Sequence, residues 1–263
     1  MSKINIVSYS GGIGSGMTAD LVRQKYGCDN TLMLFADTNM EDEDLYRFNK
    51  ELSEKLDVML ITIADGRDVW QVFNDVKYIG NSRVDPCSRI LKRDLLKKWI
   101  LSNFDPEEVD IFVGIDCTEE HRLERIKTRN TTTLNYRSIL IEQNIFLDKR
   151  KKFDWCESLN IQIPRLYTLG FLHNNCGGFC VKAGLKQFKQ LYTIMPDRYK
   201  WHEDREQALM SSNPKLKPFL RKTIDNKLYY LSLKEYRITY LEQGSPLQAE
   251  EEFDWGGCGC AID

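Results

Sequence analysis

No apolar run in this 263-residue chain approaches the roughly twenty residues that cross a bilayer. Low-complexity stretches are also missing, and no internal repeat is apparent, so neither a disordered chain nor a repeat array is indicated. Nor does charge of one sign dominate: 37 Lys and Arg face 39 Asp and Glu, for a net charge of −2. The surface as a whole therefore advertises neither nucleic acid nor anionic membrane. The one basic cluster, Lys149-Arg150-Lys151-Lys152, reads as a solvated helix face ahead of a nucleic-acid contact. Met1-Ser2-Lys3 opens straight into an apolar strand with no leader-like segment before it, and the chain reads as cytoplasmic.

What remains is an ordinary globular composition, 42% apolar and 29% charged. Strand and helix signals alternate through the first half. Strands are expected at 4–9, 31–36, 58–63 and 110–115, with helices at 15–26, 41–55, 85–101 and 118–129, and a last short strand at 139–141. Such alternation implies parallel β-α-β units and an α/β, doubly wound, mainly parallel Rossmann-like sheet. The alternation weakens after about residue 130. From Gly170 the chain turns Gly-, Cys- and aromatic-rich, then helical at 185–192 and 199–210. This predicts a nucleotide-binding domain over 1–165 and a C-terminal helical, cysteine-bearing cap over 166–263.

The most informative residues are Ser10, Gly11, Gly12, Ile13, Gly14 and Ser15, between the first strand and the first helix. A strand that bends through glycines into a helix leaves several backbone N–H groups aimed at one spot, at the positive helix end. That geometry suits phosphate. Two rival phosphate loops fit poorly. No lysine lies between Lys3 and Lys25, which removes a Gly-Lys-Ser/Thr loop. A dinucleotide fingerprint on Gly14, Gly16 and Ala19, with Asp37 further on, places its first glycine past the strand end.

Four segments should meet beyond the carboxyl ends of the strands, where open α/β sheets bind ligands. They are the glycine loop, Asp37-Thr38, the run Cys87-Ser88-Arg89-Ile90-Leu91-Lys92-Arg93, and Gly114-Ile115-Asp116 with Glu119, Arg122 and Arg125. The Ser-Gly-Gly-x-x-Ser loop resembles the PP-loop of the N-type ATP pyrophosphatases and the phosphoadenosine-phosphosulfate (PAPS) reductases. Asp37-Thr38 with Tyr46-Arg47-Phe48, Cys87-Ser88-Arg89-x-x-Lys92, Gly114-Ile115-Asp116-x-x-Glu119-x-x-Arg122 and Asn175-Cys176-x-x-x-Cys180-x-Lys182 resemble, in order, further segments of PAPS-reductase-like proteins in the adenine nucleotide α-hydrolase superfamily. Two departures stand out. Gly14 occupies a position often held by aspartate, and Asp116 one often held by arginine, leaving Arg122 and Arg125 to supply positive charge there.

The resemblance implies an adenine nucleotide, ATP or adenylyl sulfate and its 3′-phosphorylated form, bound by residues 10–15, Asp37, Thr38, Arg93, Gly114, Glu119 and Arg122, with Mg2+ bridging phosphates. Arg89 and Lys92 are the expected catalytic cations. Cys87 stays open between a buried small residue, a sulfur-carrying thiol and a cluster ligand.

Eight cysteines in a reducing compartment point to metal or redox chemistry. The pairs Cys176/Cys180 and Cys258/Cys260, flanked by glycines, can turn four thiolates toward one centre. The spacing is not that of an ordinary zinc ribbon. Resemblance to cluster-bearing relatives places a [4Fe–4S] cluster ahead of Zn2+ and of metal-free redox thiols. His173 reads as a packing residue, and Cys28, Cys117 and Cys156 as core residues.

The favoured activity is adenylation of a substrate with release of pyrophosphate, followed by sulfur transfer of the nucleic-acid thiolation type, with a sulfur-donor or reductant protein as partner. Sulfonucleotide reduction by C-terminal cysteines is the first alternative, although the Glu-Cys-Gly-x-His ending of those reductases is replaced by Gly-Cys-Ala-Ile-Asp. A catalytically silent nucleotide-binding regulator, consistent with Gly14, is the second.

Overall fold

The computed structural model describes residues 3–224 and 227–244. Five parallel strands form one sheet in the order β3-β2-β1-β4-β5: β1 (Ile4–Tyr9), β2 (Thr31–Asp37), β3 (Met59–Ala64), β4 (Val109–Phe112) and β5 (Asn135–Arg137). Order reverses between β1 and β4, which sets the ligand crevice at their carboxyl ends. β1 and β2 are buried almost throughout, as central strands covered on both faces must be, whereas edge strand β3 exposes alternate residues.

Helices cover both faces. α1 (Ile13–Tyr26), α2 (Glu43–Leu56), α7 (Ile139–Glu142) and α8 (Lys149–Ser158) pack their apolar residues with Val7, Tyr9, Met33, Phe35 and Phe112. α5 (Leu95–Asn103) and α6 (Glu120–Arg129) pack with Ile6, Leu32, Leu34 and Ile111 on the opposite face. The expected strand at 139–141 is instead helical. Ser138 caps it by accepting from the Ile141 amide, and the last strand lies just before, at 135–137. α3 (Val69–Val76), which the sequence pattern does not announce by alternation, opens with a capping box between Asp68 and Gln71 and buries Val69, Trp70, Val72 and Phe73.

Between α3 and α5 runs one continuous helical stretch: α4 (Pro86–Ser88), then a π-helical turn (Arg89–Asp94) that leads into α5. The C-terminal part holds α9 (Arg165–Thr168), α10 (Leu185–Ile194), α11 (Pro196–Ser212), an antiparallel hairpin of β6 (Leu220–Ile224) and β7 (Lys227–Leu231), and α12 (Leu233–Tyr236). Its core joins Phe179, Phe188, Tyr199 and Tyr236 to Val69, Phe73 and Leu91, so α3 and the π turn belong to the same apolar cluster as the C-terminal helices.

Candidate active site

The loop after β1 turns at Gly11, whose φ of +79° suits glycine, and a Cβ there would come within 2.6 Å of the buried Leu45 side chain. Gly12 caps α1 with no side-chain hydrogen bond, and the first helical turn carries no acid. Among the described residues no group accepts from the amides of Ile13 and Gly14. These are the unused donors of a helix N-terminus, pointed beyond the sheet. Ser15 shapes the loop from within: its Oγ accepts from the Ser10 amide at 3.1 Å, lies 3.0 Å from Ser10 Oγ and donates to the Gly12 carbonyl at 3.0 Å. Gly114, two residues past β4, passes so close that a Cβ would stand 3.4 Å from Ser15 Cα. The glycine there lets the chain that follows β4 lie against the first turn of α1.

Two features of the loop are not visible in the sequence. Lys152 runs beside Gly14, its Cε 3.8 Å from where a Cβ would be, while Lys149, Arg150 and Lys151 are exposed. The loop therefore has a cation beside the position where an aspartate is usual. Asn174 donates to the Gly11 carbonyl at 2.9 Å, and its buried Oδ1 has no partner among the described residues. That bond ties the glycine loop directly to the cysteine loop.

The cysteine loop is sharply wound. Cys176, Gly177 and Gly178 all have positive φ, at 50°, 57° and 85°. Arg198, from α11, lies over Gly177: its Nη2 occupies the space a Cβ would need, and it donates to the Met40 carbonyl. Burial lowers the Arg198 pKa, opposed by Asp42, Cys176 and Glu41 nearby. The Cys176 amide donates to Glu41 Oε2 at 2.5 Å, and Thr38 donates to Glu41 Oε1 at 2.9 Å. Lys92 completes the cluster, with Nζ 3.6 Å from Glu41 Oε1 and 4.0 Å from Cys176 Sγ. Lys92 and Glu41 are both buried. Burial raises the Glu41 pKa against the opposing pull of Lys92, Thr38 and the Cys176 amide. Cys87, Cys176 and Cys180 line one small cavity of about 20 Å³ together with Thr38, Lys92 and Lys182.

Residues 4–182 match the family model for the phosphoadenosine phosphosulfate reductase domain. The chain belongs to this family. It thereby falls in the adenine nucleotide α-hydrolase-like superfamily, whose adenine-nucleotide binding agrees with the open helix end at residues 10–15. No curated protein matches the chain.

In this member of the PAPS reductase domain family the expected cations separate. Arg89 and Arg93 line a groove of about 230 Å³ on the α5–α6 face of the sheet, and Arg93 pairs with Asp85 at 3.3 Å. Lys92 faces Glu41 and Cys176 instead. A π turn carries more residues per revolution than an α-helix, so positions 89 and 93 share a side while 92 points away. Asp37 accepts from the Asn39 amide at 2.8 Å and from Tyr46 at 2.9 Å, so it orders the loop after β2. Asp116 caps the turn after β4. Burial raises its pKa, but bonds from Thr118 and Leu147 and the charge of Lys152 outweigh this and hold it low. Glu119 and Arg122 pair with each other at 2.7 Å.

Of the expected metal ligands, Cys176 and Cys180 are described, whereas Cys258 and Cys260 lie outside the described residues. Among the described residues no three His, Cys, Asp or Glu side chains stand close enough to hold a metal ion. The thiol cavity, at about 20 Å³, has room for about one water. Cys156 is a core residue whose pKa burial pushes up to about 12, and Cys28 and Cys117 are half-buried. No helix among the described residues is long and apolar enough to cross a membrane.

Proposed function

We propose that this chain adenylates an oxygen on an acceptor with ATP, releases pyrophosphate, and lets a sulfur nucleophile displace AMP. The observation that carries the reading is the pairing of an open helix N-terminus with a buried cysteine loop, joined through Asn174. In this reading the amides of residues 11–15, with Lys152 beside them, hold the phosphates and draw charge off the leaving pyrophosphate. The acceptor oxygen attacks the α-phosphorus, and the bond to the β-phosphate oxygen breaks. Magnesium, when present, offsets phosphate charge. In this reading it arrives with the nucleotide, bound to the phosphates.

The second half of the reaction belongs to the thiols. Lys92, at 4.0 Å, favours the anionic form of Cys176 and so of a persulfide carried there. The terminal persulfide sulfur, supplied by a donor protein, attacks the adenylated centre, and AMP leaves. A second thiol, Cys180 or Cys87, then attacks the Cys176 sulfur. This releases thiolated product and leaves a disulfide for an external thiol to reduce. Cys258 and Cys260, half of the ligand set expected for a [4Fe–4S] cluster, lie outside the described residues, and no step of this reading passes through a cluster.

The family's own description favours a second reading, in which a thiolate attacks the sulfur of adenylyl sulfate or its 3′-phosphorylated form, takes the sulfonate as an enzyme S-sulfonate, and releases AMP or adenosine 3′,5′-bisphosphate. Two incubations separate them. ATP with magnesium should yield AMP and pyrophosphate in an acceptor-dependent way. Sulfite release from adenylyl sulfate with thioredoxin, and no AMP from ATP, would replace the first reading by the second. Tight ATP binding with neither product would instead establish a silent nucleotide-binding regulator.

A further inference from the structure

The hairpin β6–β7 carries chemistry that nucleotide binding leaves unused. From Asn213 to Lys234 the sequence holds six cations, Lys215, Lys217, Arg221, Lys222, Lys227 and Lys234, against the single acid Asp225. This is a local excess in a chain of net charge −2. The antiparallel register sets Arg221 opposite Tyr230 and Lys222 opposite Tyr229, so each side of the ribbon pairs a cation with a phenol ring. Tyr229 and Tyr230 are 46% and 40% exposed, and neighbouring Leu228 is 47% exposed.

One side of the ribbon is the richer. Lys217 stands over the Tyr230 ring, 5.0 Å from its centre. Arg221 donates to Ser82, next to the exposed Arg83. Arg83 is near enough that its charge, after burial, lowers the proton affinity of Arg221, and the exposed Tyr78 acts on the same guanidinium. No carboxylate among the described residues pairs with Arg83, Lys217 or Arg221. Three cations gathered around exposed tyrosines, with no acid among the described residues paired to them, call for a partner that offers spaced anions and flat rings together. An acidic peptide offers the anions without the rings, and a lipid headgroup layer likewise.

We propose that this side of the hairpin binds single-stranded nucleic acid, with an unpaired base stacked on Tyr230 and flanking phosphates held by Arg83, Lys217 and Arg221. Ser82 and Arg83 lead within a few residues to Asp85 and Cys87, which line the thiol cavity. A strand lying here passes beside the sulfur site. The inference rests on the reading of a nucleic-acid acceptor for its purpose, but binding itself requires no ATP.

The test uses the full chain and a fluorescent single strand of about 16 nucleotides, DNA or RNA, titrated without nucleotide at several salt concentrations. Binding should weaken with salt. The triple variant Arg83→Gln/Lys217→Gln/Arg221→Gln should flatten the log–log salt slope by about 2, near 0.7 for each phosphate that is no longer neutralised. Tyr230→Ala should weaken binding about five- to a hundredfold, while Tyr230→Phe, which keeps the ring, should not. Lys149→Gln/Arg150→Gln, on the other basic run, should leave affinity unchanged, and thermal melting confirms that each variant is folded. Binding that survives the triple variant overturns the proposal, as does capture of anionic vesicles or an acidic peptide with none of the oligonucleotide. Oligonucleotide binding without AMP formation from ATP would retain this surface and discard the adenylation chemistry.

Discussion

Lys92 and Glu41 should be energetically coupled, because each is buried and each is the other's charge partner. At 3.6 Å, an effective dielectric near 20 gives an attraction of about 5 kcal/mol before the desolvation of both groups is subtracted. The net value of such a pair is small, but removing one member strands the other. Lys92→Met should therefore lose about 3–5 kcal/mol, leaving Glu41 with only Thr38 and the Cys176 amide. Glu41→Gln should lose a similar or smaller amount, because the amide can still accept one of those bonds. The double variant, with neither charge, should regain at least about 2 kcal/mol relative to the sum of the singles. Urea unfolding of the four proteins at neutral pH measures this cycle directly. Losses that add to within about 0.5 kcal/mol would show that the two side chains do not share a buried site, and the thiol-activating role of Lys92 would go with it.

Gly11→Ala should destabilise the fold by about 2–5 kcal/mol and abolish nucleotide binding, since φ at +79° disfavours a side chain and the added methyl meets Leu45 at 2.6 Å. A melting temperature equal to the parent's would mean the turn is built otherwise. Glu206 gives a pH signature. Burial pushes its pKa up to about 8 against bonds from the Leu233 and Phe219 amides, and Oε1 has no partner among the described residues. The folded protein thus holds a proton that the unfolded chain has released above about 4.5, so stability falls as pH rises from 4.5 to 8, by up to about 3 kcal/mol near neutrality. Glu206→Gln should flatten that stretch of the stability–pH curve, as followed by urea midpoints. An unchanged slope would place the titration elsewhere.

What the sequence shows clearly is what is locally encoded. β1, the glycine turn and α1 follow from one apolar run and four glycines, and the parallel pairing of the strands follows from the alternation of β and α signals. α3 is locally encoded too, in the Asp68–Gln71 capping box and the Val69-Trp70-x-Val72-Phe73 pattern, but at eight residues it is too short for helical periodicity to mark it. The residues that complete the site are not legible, because their roles are tertiary. Glu41 looks like part of an acidic helix start until Cys176 donates to it across 135 positions. Arg198 lies in a mixed-charge helix and declares itself only over Gly177. Arg89 and Lys92 look like neighbours on an α-helix, and only the π turn sends them apart. Lys152 reads as one of four solvated cations until α8 docks beside Gly14.

The most direct measurement follows the backbone amide resonances of Gly11, Gly12, Ile13, Gly14 and Ser15 during titration with ATP and with adenylyl sulfate. The account predicts that these five move together at saturable ligand concentrations, because phosphate takes up donors that the protein leaves open. Saturable binding that shifts other amides and leaves these five in place would contradict it.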